Sequence, residues 1–421
     1  MYKKRILKNG LRVVLVPMKK SMAATFLVLV EAGSKYENKE INGISHFLEH
    51  MCFKGTKKRP SALAISSEME SLGAVYNAFT GHEATGYYAK VGSDKIDYAL
   101  DIISDMYKNP LFNEKEIEKE KGVIIEEINM YEDLPMRKVH ENFSELVYGN
   151  QPAGWPIAGK KENVLAINKE KLVEYRKNHY VPEATTIVVA GAFKEREMMK
   201  KIEKIFGGIA RSPKTGKLKV IEAQSKPMVT LETKKSDQAH LVLGFRSFDM
   251  FDERRYILSV LCDILGGGMS SRLFQKVREE LGAAYYVNCG NSSYTDHGVL
   301  GISAGVDNTK VSVVIRAILD EINKIKNVEV SKKELDKSKN HIIGRLMIGL
   351  ETSDSVAEFY GDQEIFKEKI HTPEQLIKKI KSVRAKDILR VAKDIFKNEK
   401  LNLAIIGPFE NKSEFERGLS L

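Results

Sequence analysis

The sequence predicts an α+β fold built from two homologous halves, each a mostly antiparallel sheet packed with helices. Two observations carry this expectation. Strand-like apolar runs alternate with helix-like amphipathic stretches along the 421 residues. The order of those runs also repeats: residues 44–51 align with 258–265, 72–76 with 281–285, 116–125 with 334–343, and 187–193 with 403–409. The offsets are 214, 209, 218 and 216 residues. One such match arises by chance, but four in the same order at nearly one offset mark a duplicated unit.

The elements follow in chain order. Residues 11–16 and 25–33 are apolar and rich in Val and Leu, as strands are. A helical stretch begins near Ile44, and residues 74–91 read as a hairpin with Gly and Asn at its turns. Residues 114–121 alternate acidic and basic side chains, the pattern of a solvated helix. Residues 187–193 supply a closing strand. The second copy repeats this with a strand at 240–245, a helix at 256–265, a hairpin at 283–304 and a closing strand at 403–409. Between the copies, residues 211–227 carry Lys, Pro and Gly in the manner of an exposed linker. The expected division is a first domain at 1–212, a linker at 213–228 and a second domain at 229–421.

Composition removes several classes. With 43% hydrophobic and 29% charged residues the chain has enough apolar mass for a core. Cys52, Cys262 and Cys289 form no CxxC pair and no disulfide framework, which points to a reducing compartment: a bacterial cytoplasm is expected, with an organelle matrix as the alternative. The net charge of +10 invites a nucleic-acid reading. The charges are interspersed, however, and no aromatic RNA-binding motif, zinc finger or basic region accompanies them, so no nucleic-acid partner is expected. Residues 22–30, the most apolar stretch, stop at Glu31, far short of a membrane span.

The segment that carries chemistry is His46-Phe-Leu-Glu-His50. On a helix, positions i, i+3 and i+4 share one face, so His46, Glu49 and His50 project together. Two imidazoles at that spacing suit one zinc ion, with Glu49 placed to take a proton from a water on the metal; this is the H-x-x-E-H order. The competing reading is two surface histidines beside a carboxylate. The repeat argues against it, because the equivalent residues of the second copy are Val260, Asp263 and Ile264. A position that tolerates an apolar residue in one copy has been made polar in the other. A catalytic zinc site needs a third protein ligand, and residues 116–130 offer it. Glu120 and Glu127 are two helical turns apart on one face and face Ser338 and Arg345 in the repeat. Spacing alone does not choose among Glu118, Glu120, Glu126 and Glu127.

These motifs, with residues 8–14, 43–56, 77–80, 123–128 and 271–282, give the chain an end-to-end resemblance to the pitrilysin/insulysin superfamily of zinc peptidases. Within it the chain most resembles the catalytic subunit of mitochondrial processing peptidase and its bacterial relatives. In that family the third ligand follows the last histidine of the motif after 76 residues, an interval that falls here on Glu127. The resemblance implies one zinc per chain held by His46, His50 and Glu127, and Glu120 as a supporting acidic residue. It implies Arg278 and Tyr285 reaching the active site from the second half, and Asn77, Ala78, Phe79 and Thr80 as the edge strand on which a peptide is laid.

The function so implied is a zinc endopeptidase cutting unfolded peptides or presequence-like segments, with zinc-activated water as nucleophile and Glu49 as general base. The family's clam-shell chamber has four homologous units, and this chain supplies two. A second chain is therefore expected, either a copy in a homodimer or an inactive homologue. The alternative is a non-catalytic, structural or peptide-holding subunit of the same fold, which predicts eroded ligands. Gly266 to Gly268 lack the Lys-Ser/Thr of a phosphate loop and read as a helix-end turn. Cys52 reads as a buried thiol, not a ligand.

Overall fold

In the computed structural model, which describes residues 2–366 and 369–421, two sheets form. The first has six strands: β1 (Lys3–Ile6), β2 (Arg12–Pro17), β3 (Ala23–Val30), β4 (Val75–Thr80), β5 (Thr85–Gly92) and β6 (Thr185–Gly191). The second has five: β7 (Met228–Thr233), β8 (Gln238–Ser247), β9 (Ala284–Ser293), β10 (Gly298–Asp307) and β11 (Leu401–Gly407). Their orders are β1-β2-β6-β3-β5-β4 and β7-β11-β8-β10-β9. With β1 set aside, the two orders are the same strand for strand. In each sheet a single parallel pair, β2–β6 or β7–β11, interrupts otherwise antiparallel pairing. The duplication read from the sequence is thus a duplication of topology.

The chain divides into two compact units that are not contiguous in sequence. The first comprises Met1–Asn129, Trp155–Leu218 and Ile348–Ile370; the second comprises Met130–Gly154, Lys219–Met347 and His371–Leu421. The chain therefore passes between units at five places, only one of which falls in the 213–228 segment. The physical reason lies in the central strands. β3, β6 and β11 are buried along nearly their whole length, so both faces of each sheet need an apolar cover. One helix from each half of the sequence covers the sheet of the other half.

Helix Ser353–Ile365 lays Val356, Ala357 and Tyr360 on Val14, Leu27, Leu29, Val188 and Ala190 of the first sheet. Helix Pro135–Tyr148 lays Val139, Phe143 and Val147 on Val242, Ala404 and Ile406 of the second. Each fully buried Val or Leu contributes about 1.5–3 kcal/mol. Both helices are also docked at their carboxyl ends by a buried arginine from the sheet they cover, a favourable place for a cation. Arg12 Nη1 donates to the carbonyls of Glu364 and Ile365 at 2.7 and 3.1 Å. Arg246 donates to the carbonyl of Val147. At the amino end of helix Ser353–Ile365, Ser353 Oγ pairs with Thr25 Oγ1 at 2.8 Å.

This exchange predicts that residues 1–218 expressed alone will aggregate and bind a hydrophobic dye, because the apolar face of their sheet is bare. Joining residues 348–370 to that fragment will restore a protease-resistant fold. A soluble, cooperatively unfolding 1–218 fragment would contradict the exchange.

Candidate metal centre

Helix Ile44–Cys52 begins at Gly43, whose φ of +100° lies in the left-handed region that glycine alone enters freely. A Cβ there would also meet the carbonyl of Ala158 at 2.6 Å. The first turn is capped by the buried Glu37 carboxylate, which accepts from the backbone N–H groups of Gly43 and Ser45 at 2.8 Å and from Asn42 Nδ2 at 2.9 Å. An anion at a helix amino terminus satisfies orphan donors and complements the dipole. One face then buries Ile44, Phe47, Leu48, Met51 and Cys52, and this packing turns His46, Glu49 and His50 outward together.

Helix Glu114–Glu132 supplies the acidic partners. Ile117, Glu120, Ile124 and Ile128 form its buried stripe. The four glutamates that spacing left open are separated by this geometry. Glu118 pairs with Lys121 at 2.7 Å and Glu126 accepts from Asn129, both on the exposed side. Glu120 and Glu127 face the histidine helix.

His46 Nε2 and His50 Nε2 lie 3.2 Å apart, and each is 3.6 Å from Glu127 Oε2. In a tetrahedral zinc site with bonds of 2.0–2.1 Å the ligand–ligand edge is about 3.3 Å. Two imidazole nitrogens and one carboxylate oxygen thus stand at separations one zinc ion would impose, and three protein ligands leave a fourth position for water or substrate. This is the one group of three such ligands found among the described residues. The donor set fits zinc.

Around it the titrating groups are pushed apart. Burial, helped by the neighbouring His50, pushes His46 down to about 4, so its imidazole is neutral at pH 7. His46 Nδ1 is buried without a hydrogen-bond partner. For His50 burial acts downward, but the hydrogen bond from its Nδ1 to Glu120 Oε1 (2.8 Å) and the nearby carboxylates raise it above the usual imidazole value. In the neutral imidazole that bond puts the proton on Nδ1 and leaves the Nε2 lone pair facing Glu127. Glu120 Oε2 also accepts from Lys54 Nζ at 2.6 Å. Against its burial, His50 and Lys54 hold the Glu120 carboxyl below its ordinary value. Burial raises Glu49, opposed by a hydrogen bond from Thr80 and by His50. Sequence reasoning gave Lys54 no role. Its spacing of four from His50, next to a paired acidic helix, was the available signal.

Asn77, Ala78, Phe79 and Thr80 lie on β4, the last strand of its sheet. Asn77 Oδ1 accepts from the Ala78 N–H at 2.9 Å. In the second unit, Arg278 stands on a π-helical turn, Phe274–Glu280, with its guanidinium 5.0 Å from the Phe274 ring and 5.7 Å from the Tyr285 ring. Tyr285 is exposed. The second-half counterparts of the histidines, Val260 and Ile264, are fully buried. Asp263, the counterpart of Glu49, is tied to His341 Nδ1 at 2.7 Å and accepts from Ser338 Oγ at 2.6 Å. Cys52 is wholly buried and its thiol is pushed up to about 11 by burial, against which Tyr87 acts, so it offers no thiolate to a metal at pH 7.

The pattern of the family described as insulinase (peptidase family M16) matches residues 12–161, and that of the peptidase M16 inactive domain matches residues 166–342. The chain belongs to peptidase family M16. The uncharacterized zinc protease YmxG of Bacillus subtilis is 38% identical over 98% of this chain and 99% of its own length. An uncharacterized zinc protease of Rickettsia bellii is 35% identical over 96% of each. The fold matches the crystal structure of a Helicobacter pylori protease with a TM-score of 0.91 at 23% identity, covering 97% of this chain and 99% of that one. It also matches an M16 inactive-domain protein of Pseudomonas fluorescens with a TM-score of 0.90 at 17% identity, over 98% and 99% of the two chains. The inactive-domain match begins after the histidine and glutamate helices and spans the positions of Val260 and Ile264. No helix among the described residues is long and apolar enough to cross a membrane.

Replacing Glu120 by Gln removes the negative charge that His50 and Lys54 pair with, which is expected to weaken zinc binding about 10- to 100-fold. Lys54→Met acts in the same direction with a smaller loss. Competition with a chromophoric chelator measures both, and unchanged affinity in Glu120→Gln would refute the support role.

Proposed function

We propose that this M16 chain is a zinc-dependent endopeptidase that cleaves unfolded peptides or presequence-like segments. The observation that carries the reading is the meeting of His46 Nε2, His50 Nε2 and Glu127 Oε2 at tetrahedral spacing, with the Glu49 carboxylate on the same helix face. The eroded ligands that a purely structural subunit predicts are absent from this set.

His46, His50 and Glu127 would hold the zinc, and Glu120 and Lys54 would orient His50. Zinc held there polarises the scissile carbonyl and lowers the pKa of a water. Glu49 accepts a proton from the attacking water at its carboxylate and delivers it to the leaving amine nitrogen. Its burial, by raising its pKa, brings the carboxyl closer to the range in which both transfers are easy. Arg278 and Tyr285 supply donors suited to a substrate carbonyl and to the developing oxyanion. β4 offers a sheet edge for main-chain pairing, which gives affinity with little dependence on sequence. A bound peptide would take the Ala78 N–H from Asn77. Bacterial relatives and three unpaired cysteines support a bacterial cytoplasm as the setting.

Chelation is expected to abolish cleavage of a fluorogenic peptide and added zinc to restore it. Glu49→Gln should keep full zinc content while lowering kcat by about 10²- to 10⁴-fold. Cleavage by zinc-free protein, or an active Glu49→Gln variant, would refute the reading. The partner proposal is a homodimer, with an inactive homologue as the other option. Light scattering should give twice the chain mass, and an active monomer would exclude both.

A further inference from the structure

Thr80 does something that edge-strand pairing does not require. Its Oγ1 donates to Glu49 Oε2 at 2.5 Å. An ionised carboxylate only accepts, so the hydroxyl proton lies between the two, and the length is that of a charge-assisted O–H···O⁻ bond. Glu49 Oε1 takes no hydrogen bond from any described residue. The terminal torsion of a glutamate is broad and roughly two-fold. A bond to one oxygen therefore selects which face of the carboxylate remains open.

Thr80 is itself held firmly. By the alternation of a strand, Tyr76, Ala78 and Thr80 share the inward face of β4, and Tyr76 stacks on Phe53 just past the histidine helix. The turn after Thr80 closes with Gly81 N–H donating to the Ala84 carbonyl at 2.8 Å. Ser34 and Lys35 then donate backbone N–H groups to the carbonyls of Gly81 and His82 at 3.2 and 2.9 Å. Gly33 permits this approach, since a Cβ there would lie 2.3 Å from the Gly81 oxygen. Beneath it Lys35 Nζ and Glu83 Oε1 pair at 2.8 Å, almost fully buried. Breaking a buried pair is costly, so the turn has little freedom.

We propose that Thr80 is the positioning residue for Glu49: its hydroxyl fixes the carboxylate so that Oε1 faces the reacting water. The inference rests on the peptidase reading of the site and extends it. One residue then ends the strand that registers the peptide and aims the base at it, so substrate register and base orientation are set together.

The test compares Thr80→Val, which keeps the shape and removes the donor, with Thr80→Ser, which keeps the donor. In the zinc-loaded full chain, Thr80→Val should lower kcat about 10- to 100-fold with KM, zinc content and thermal midpoint unchanged, and Thr80→Ser should restore most of it. In crystals of the metal-free protein, Thr80→Val should show Glu49 in more than one rotamer, a result independent of activity. Wild-type kcat in Thr80→Val, equal damage in Thr80→Ser, a raised KM at unchanged kcat, or a single unaltered Glu49 rotamer would each overturn the proposal. A wild-type chain that leaves peptide intact would overturn the peptidase reading and this inference with it, whereas an active wild type beside an equally active Thr80→Val overturns this inference alone.

Discussion

The bond from His50 Nδ1 to the buried Glu120 carboxylate is the interaction on which the site depends. It joins two helices across 70 residues of sequence and orients the His50 imidazole. Burying a carboxylate is expensive unless it is paired. Here Lys54 and His50 share that role, and the same pairing that makes Glu120 tolerable turns His50 Nε2 toward His46 and Glu127.

Among the described residues, only one copy of the duplicated unit carries this cluster. In the second unit the matching helix turns Val260 and Ile264 into the core, and Asp263 satisfies itself locally with Ser338 and His341. The same topology therefore accommodates either a cluster of imidazoles and carboxylates or an apolar seam at one place. The exchanged helices, each ended by a buried arginine on the sheet it covers, complete the apolar cover of each copy's sheet with a segment of the other copy.

Much of this was legible in the sequence, for identifiable reasons. The histidine helix, both hairpins and the closing strands have short-range periodicity and turn chemistry, and they lie where the pattern put them. The meeting of His46, Glu49 and His50 on one face follows from helical spacing alone. The choice of Glu127 over Glu118 and Glu126 did not, because it depends on which side of a heavily charged helix is buried, and the Ile117, Ile124 and Ile128 stripe decides that. The exchanged helices were not legible either: a covering helix carries the same apolar stripe whichever sheet it covers. Lys54 and the side chain of Thr80 act through contacts across 66 and 31 residues of sequence, which no local pattern reports.

The central claim is that this chain holds one zinc ion through His46, His50 and Glu127. X-ray absorption at the zinc edge of the zinc-loaded chain tests it most directly. The account predicts a four-coordinate nitrogen and oxygen shell at about 2.0–2.1 Å, two imidazoles in the outer scattering, and no sulfur. One imidazole should disappear in His46→Ala protein that still takes up metal. A sulfur shell at about 2.3 Å, a six-coordinate oxygen environment, or two imidazoles persisting in His46→Ala would contradict it.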